Sequence, residues 1–92
     1  MNGRALVALN LRRLRIERGI SQERLAADAV VDRAYVSELE RQLGNASVDM
    51  LDKLAAVLGV DLGQFFIKPS PNDPEIAPLP VGRKARGAGQ DR

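Results

Sequence analysis

Ninety-two residues with a formal net charge of +2 suffice for one domain with its own core. The absence of both cysteine and histidine excludes disulfides, thiolate metal sites and the commonest general base, so no enzyme, metal or cofactor is expected. Three aromatic residues, Tyr35, Phe65 and Phe66, are too few for platforms that stack single-stranded bases, and no apolar run approaches the roughly 20 residues of a membrane span.

In chain order, Val7, Leu11 and Leu14 recur at helical spacing and predict a first helix over about Arg4 to Arg18. Gly19 ends it as a left-handed cap, with Ile20 covering the helix end. Leu9 and Ile16 form a second apolar stripe roughly opposite the first. The last helix, the Ile76–Leu79 part of the C-terminal segment and a partner are three surfaces that would each cover it. Ser21 reads as the N-cap of a second helix through Ala29, with Leu25, Ala26 and Ala29 inward and Glu23 complementing its positive end. Val30 and Val31 break the pattern. Asp32 is placed to cap a third helix, Arg33 to Arg41, that buries Val36 and Leu39. After a loop over residues 42–46, Ser47 caps a fourth helix from Val48 to Leu58, whose Leu51, Leu54, Ala55 and Leu58 make one stripe, and Gly59 stops it. Asp61 caps a fifth short helix, residues 62–66. The expectation is an all-α fold of five helices in a domain over residues 1–67.

From Lys68 onward the composition changes: residues 68–92 hold all five prolines and no helical period. Such a segment buries too little apolar surface to offset its ordering entropy, so a flexible tail is expected, of polyproline character first and then basic and glycine-rich. Charge is uneven within the domain as well. Arg4 to Arg24 contains six arginines against two acids, whereas Asp28 to Asp61 contains seven acids against three bases. One basic end is enough to meet a phosphate backbone.

The segment from Gln22 to Arg41 carries the functional signal. Two short helices joined by a tight turn, with small Ala26 where they cross, present the second helix away from the body. Val36 and Leu39 fix that helix from behind, while Arg33, Ala34, Ser37, Glu38 and Arg41 face outward, as reading the major groove requires.

Residues 7–67 resemble the Cro/C1-type (Xre) helix-turn-helix family, with a lambda-repressor-like fold. The matching pieces are LRRLRIERGISQERLA, VDRAYVSELER and NASVDMLDKLAAVLGVDLGQFF. The closest style is that of short repressors and controller proteins of restriction-modification systems. The resemblance implies that Gln22, at the start of the second helix, binds a DNA phosphate with help from the helix dipole. It implies that Arg33 reaches base edges, where a guanidinium pairs bidentately with guanine, beside Ala34, Ser37 and Glu38. Tyr35, Arg41 and Asn45 are implied phosphate contacts that set register.

Each also has a plainer reading: Gln22 as a solvent-facing helix former, Arg33 and Glu38 as surface ion-pair partners, Tyr35 as half-buried packing. Arg12, Arg13, Arg15 and Arg18 read as a solvated helix face. Two positions depart from the family pattern. Val30 and Gln42 stand where glycine is usual, and a left-handed Val30 would cost roughly 1–2 kcal/mol. Leu43 and Gly44 replace residues that are often basic, which weakens the loop's grip on phosphate.

The resulting expectation is a transcriptional regulator, cytoplasmic and nucleoid-associated, that binds an inverted-repeat operator in double-stranded DNA as a homodimer and has no membrane partner. The expected dimer surface is Leu62, Gln64 and Phe66 with Met50 and Val57. A rival expectation is an antitoxin or anti-activator that holds a protein partner through Ile76, Leu79 and Val81 of the tail, with DNA binding secondary.

Overall fold

The computed structural model describes residues 1–69, so the predicted tail falls, beyond Pro69, outside the described residues. Four α-helices follow one another: α1 (Gly3–Glu17), α2 (Gln22–Ala29), α3 (Arg33–Glu40) and α4 (Val48–Leu58). A 3-10 helix, Leu62–Phe66, closes the described fold, and no strand occurs among the described residues. The predicted fifth α-helix is thus corrected to a 3-10 helix. Five residues between an extended Asp61 and an extended Ile67 are too few to close a regular α-helical ladder.

Local chemistry explains most boundaries. Ser21 Oγ accepts from the Arg24 amide at 2.9 Å, and Ser47 Oγ accepts from the Met50 amide at 3.0 Å, each satisfying an orphan donor of a first turn. Asn2 performs the same service for α1, its Oδ1 accepting from the Ala5 amide at 2.9 Å, which the sequence reading had not included. Gly19 and Gly59 take the left-handed conformation at φ 68° and 71°. Behind Gly19, the Ile20 amide donates to the Arg15 carbonyl at 3.2 Å. Asp32 and Asp61 are extended as N-caps should be, but neither side chain makes a capping hydrogen bond. At Asp32 the carbonyl alone opens the helix, accepting from the amides of Tyr35 and Val36.

The helices enclose one core. Leu11, Leu25, Val36, Leu54 and Phe65 are fully buried, and Leu14, Leu39, Leu51 and Leu58 nearly so. At about 1.5–3 kcal/mol for each large side chain, this set supplies the main driving force for so small a domain. The inward positions are the apolar stripes read from the sequence, with Phe65 added from the 3-10 helix. The second stripe of α1 is left largely open: Leu9 is half-buried and Ile16 is exposed.

A polar latch fastens the 3-10 helix to α1. Asn10 is 1% exposed, and its Nδ2 donates to the carbonyls of Leu6 at 3.0 Å, Phe65 at 3.0 Å and Ile67 at 2.9 Å. Arg13 completes it, donating to Asn10 Oδ1 at 3.0 and 3.2 Å and to the Gln64 carbonyl at 3.4 Å.

The turn between α2 and α3 adopts the glycine conformation without glycine. Val30 lies at φ 59° and ψ 51°, and Gln42, after α3, at φ 65°. Around Val30 the closing bonds are intact: its amide donates to Ala27 and the Val31 amide to Ala26 at 2.9 Å. The turn has therefore kept its geometry and carries the strain of a β-branched residue, whose side chain stands 82% exposed. Val30→Asn, which tolerates this conformation, is expected to stabilise the domain by about 1 kcal/mol, seen as a higher denaturant midpoint at unchanged slope. A lowered midpoint would refute the strain.

Candidate nucleic-acid interface

The outer face of α3 is set by its inner one. Val36 is fully buried and Leu39 4% exposed, which turns the face bearing Arg33, Ala34, Ser37 and Glu38 outward. Arg33, Ala34 and Glu38 are exposed and Ser37 is half-buried; Arg41 follows at the helix end, also exposed. The structure thus brings the four predicted base-reading residues onto one face. Tyr35 lies half-buried against the core, and burial raises its hydroxyl pKa, keeping it a neutral donor. Asn45 is exposed in the loop after α3, and lines an open groove with Arg4, Val48 and Phe66.

The angle of α3 is held by an ion pair that the sequence reading did not find. Arg15 of α1 forks onto Glu40 of α3, Nε to Oε2 at 2.6 Å and Nη2 to Oε1 at 3.0 Å. Both side chains are buried, 9% and 4% exposed. The remaining Arg15 nitrogen, Nη1, donates to the Ile20 carbonyl at 3.0 Å, and Gln22 Nε2 donates to Glu40 Oε1 at 3.2 Å. One carboxylate therefore ties α1, the start of α2 and the end of α3. Gln22, predicted as a phosphate contact, is half-buried and engaged in this clamp at the N-terminus of α2.

The expectation that Arg12, Arg13, Arg15 and Arg18 form a solvated face is corrected accordingly. Arg15 is internal, Arg13 is occupied by Asn10 and Glu17, and Arg12 buries Nε and Nη2 without a protein partner. Burial pushes the Arg12 pKa down, Glu40 pulls it back up, and Arg15 adds to the depression. Arg18 is exposed, but its guanidinium lies beside Gly59 at the end of α4. Arg24 pairs with Asp28 at 2.9 Å. The arginines that made the first part of the sequence look basic are thus largely engaged by the domain's own acids and carbonyls and do not form one basic patch.

In the loop after α3, the Glu38 carbonyl accepts from the amides of Leu43 at 2.9 Å and Gly44 at 3.2 Å. Gly44 packs so closely on α3 that a Cβ would stand 2.9 Å from Leu39 Cδ2 and 3.3 Å from the Leu39 amide nitrogen. Glycine is required there for close approach, a reason the sequence did not reveal.

Of the predicted dimer set, Phe66 is 46% exposed, whereas Met50, Val57, Leu62 and Gln64 are half-buried, and Val57 and Leu62 also pack on the core. Among the described residues no cluster of His, Cys, Asp or Glu could hold a metal ion, and no helix is long and apolar enough to cross a membrane.

Comparison with known proteins agrees with this architecture. A hypothetical transcription factor from Neisseria meningitidis is 42% identical over 66 residues, which cover 72% of this chain and 62% of that protein. The control protein C.BamHI from Bacillus amyloliquefaciens is 37% identical over 60 residues, 64% of this chain and 74% of the relative. Among solved structures, the restriction-modification controller protein C.AhdI from Aeromonas hydrophila superposes with a TM-score of 0.67 at 36% identity, covering 68% of this chain and 96% of its own. The family model HTH_3, described as helix-turn-helix, matches residues 11–65. The chain belongs to this Cro/C1-type helix-turn-helix family.

Proposed function

We propose that the chain is a sequence-specific regulator of transcription that reads an inverted-repeat operator in double-stranded DNA as a homodimer. The observation that carries this reading is the presentation of α3: an open face bearing Arg33, Ala34, Ser37 and Glu38 on a helix clamped from behind through Arg15 and Glu40. A rigid helix with one polar face free is what entry into the major groove demands. The names of the relatives, a transcription factor and controller proteins, point the same way.

In this reading Arg33 pairs with guanine, and Glu38 accepts from a cytosine amino group or steadies a neighbouring arginine. Gln22, Tyr35, Arg41 and Asn45 meet phosphates and set register. Gln22 is well suited, because the clamp holds its amide at the positive end of α2. One such head touches few base pairs, so pairing of two copies through Phe66 and its neighbours doubles the contacts and sets the half-site spacing near one DNA turn, about 34 Å. The cell compartment follows from the ligand: the cytoplasm, on the nucleoid.

Selection of bound duplexes from a random DNA pool tests the reading. The expected result is an enriched palindrome whose affinity falls steeply with salt. An enriched site without two-fold symmetry would remove the homodimer, and no enrichment with a flat salt response would remove the DNA. Gln22→Ala is expected to weaken cognate and unrelated sites by the same factor, in titrations of both.

A further inference from the structure

The docking of the 3-10 helix leaves its one exposed aromatic flanked by two fixed points. The carbonyls immediately before and after Phe66, those of Phe65 and Ile67, both accept from the single buried amide of Asn10. Arg13 takes the next carbonyl back, that of Gln64. Phe65 is driven fully inward, while Phe66 and Ile67 remain 46% and 44% exposed. Three backbone carbonyls in succession around Phe66, apart from its own, are therefore held by two side chains of α1.

We infer that Asn10 and Arg13 are the positioning residues of the self-association surface: they fix the backbone on which Phe66 is displayed to a second copy of this chain. The inference rests on the proposed homodimer and adds the device that shapes its interface. Apolar burial of Phe65 alone would anchor the segment but leave rotation about it open. The directional bonds on either side of Phe66 remove that freedom, and preorganising an aromatic anchor lowers the entropy lost on pairing. The chemistry is specific to an amide. Nδ2 supplies donors to the carbonyls, and Oδ1 simultaneously accepts from Arg13. Aspartate has the same shape and would face three carbonyl oxygens with an acceptor.

The latch lies away from the reading head, which separates its effect from a general loss of structure. For the full chain carrying Asn10→Asp, the expected result is a dimer dissociation constant raised on the order of tenfold or more in sedimentation equilibrium, with single half-site affinity within about twofold of the parent and full-operator affinity reduced. Arg13→Met removes the outer bond and keeps the buried amide, so it is expected to fold and to shift the dimer constant in the same direction by less. Unchanged dimer constants in both variants overturn the inference. So does an equal loss at half-site and full operator, which would mark Asn10 as a purely structural residue. A parent chain that stays monomeric at all concentrations defeats the homodimer itself and is distinguished by the parent measurement alone.

Discussion

Glu40→Ala is expected to destabilise the domain by about 3–5 kcal/mol, because it leaves Arg15 buried with its charge uncompensated. The neighbourhood makes this worse. Arg12 is close enough to Glu40 for the carboxylate to favour its charged form, so removing Glu40 leaves two guanidinium groups facing one another across the α1–α3 contact. It also frees Gln22 and unfastens α3 from α2. Stability for a domain of this size is typically only about 5–15 kcal/mol, so the variant should lie near the edge of folding and melt well below the parent. Replacing both partners with apolar residues, Arg15→Met with Glu40→Leu, is expected to recover most of that loss, since the desolvated charges go together. Thermal and denaturant unfolding of the three proteins give the answer. A double variant as unstable as the sum of the singles would mean that the pair's hydrogen bonds, and not its unmatched charge, dominate.

Arg33→Ala is expected to leave stability within about 0.5 kcal/mol of the parent while weakening operator binding by about 1–3 kcal/mol for each half-site, and so about 2–6 kcal/mol for both. Arg33 is exposed at the first position of α3 and takes no part in the described ion pairs, so the folded state has little to lose. The DNA complex has more. A bidentate guanidinium contact carries both charge and base identity, and its removal should relax preference at one position of each half-site. Arg33→Lys separates the two: charge remains and the fork is lost, so affinity for unrelated DNA should persist while discrimination falls. Titration against the selected operator and single-base variants decides the matter; unchanged base preference in Arg33→Ala would remove the residue from readout.

Much of the fold was legible in the sequence because it is written locally. Ser21 and Ser47 sit directly before apolar-periodic runs, and Gly19 and Gly59 directly after them, so caps and stops follow from neighbours within one turn. The apolar stripes of α1, α2 and α4 were legible for the same reason. What was missed joins distant parts of the chain. Arg15 lies 25 positions from Glu40, and Asn10 lies 55 from Phe65. Each is a residue type that usually points to water, and nothing local tells an internal arginine from three solvated neighbours. Asp32 erred in the other direction: its type and place suit a side-chain cap, yet the backbone alone opens α3. At Val30 the sequence posed the right alternative, strain or a rebuilt turn, and the left-handed φ identifies strain.

The tight seat of Gly44 also limits how this protein could be retuned. The loop between α3 and α4 departs from its relatives' basic character at Leu43 and Gly44, so a designer seeking firmer hold on DNA would look there first. Position 44 is closed to that purpose, because any side chain begins inside the van der Waals shell of Leu39 and would push on the end of the helix that reads the groove. Leu43 is 65% exposed, with its amide already turned inward to Glu38, so its side chain is free to change without disturbing the loop's anchor. Grip and reading are thereby uncoupled at adjacent residues, and the hold on DNA can be adjusted at one of them while the geometry of recognition is guarded by the other.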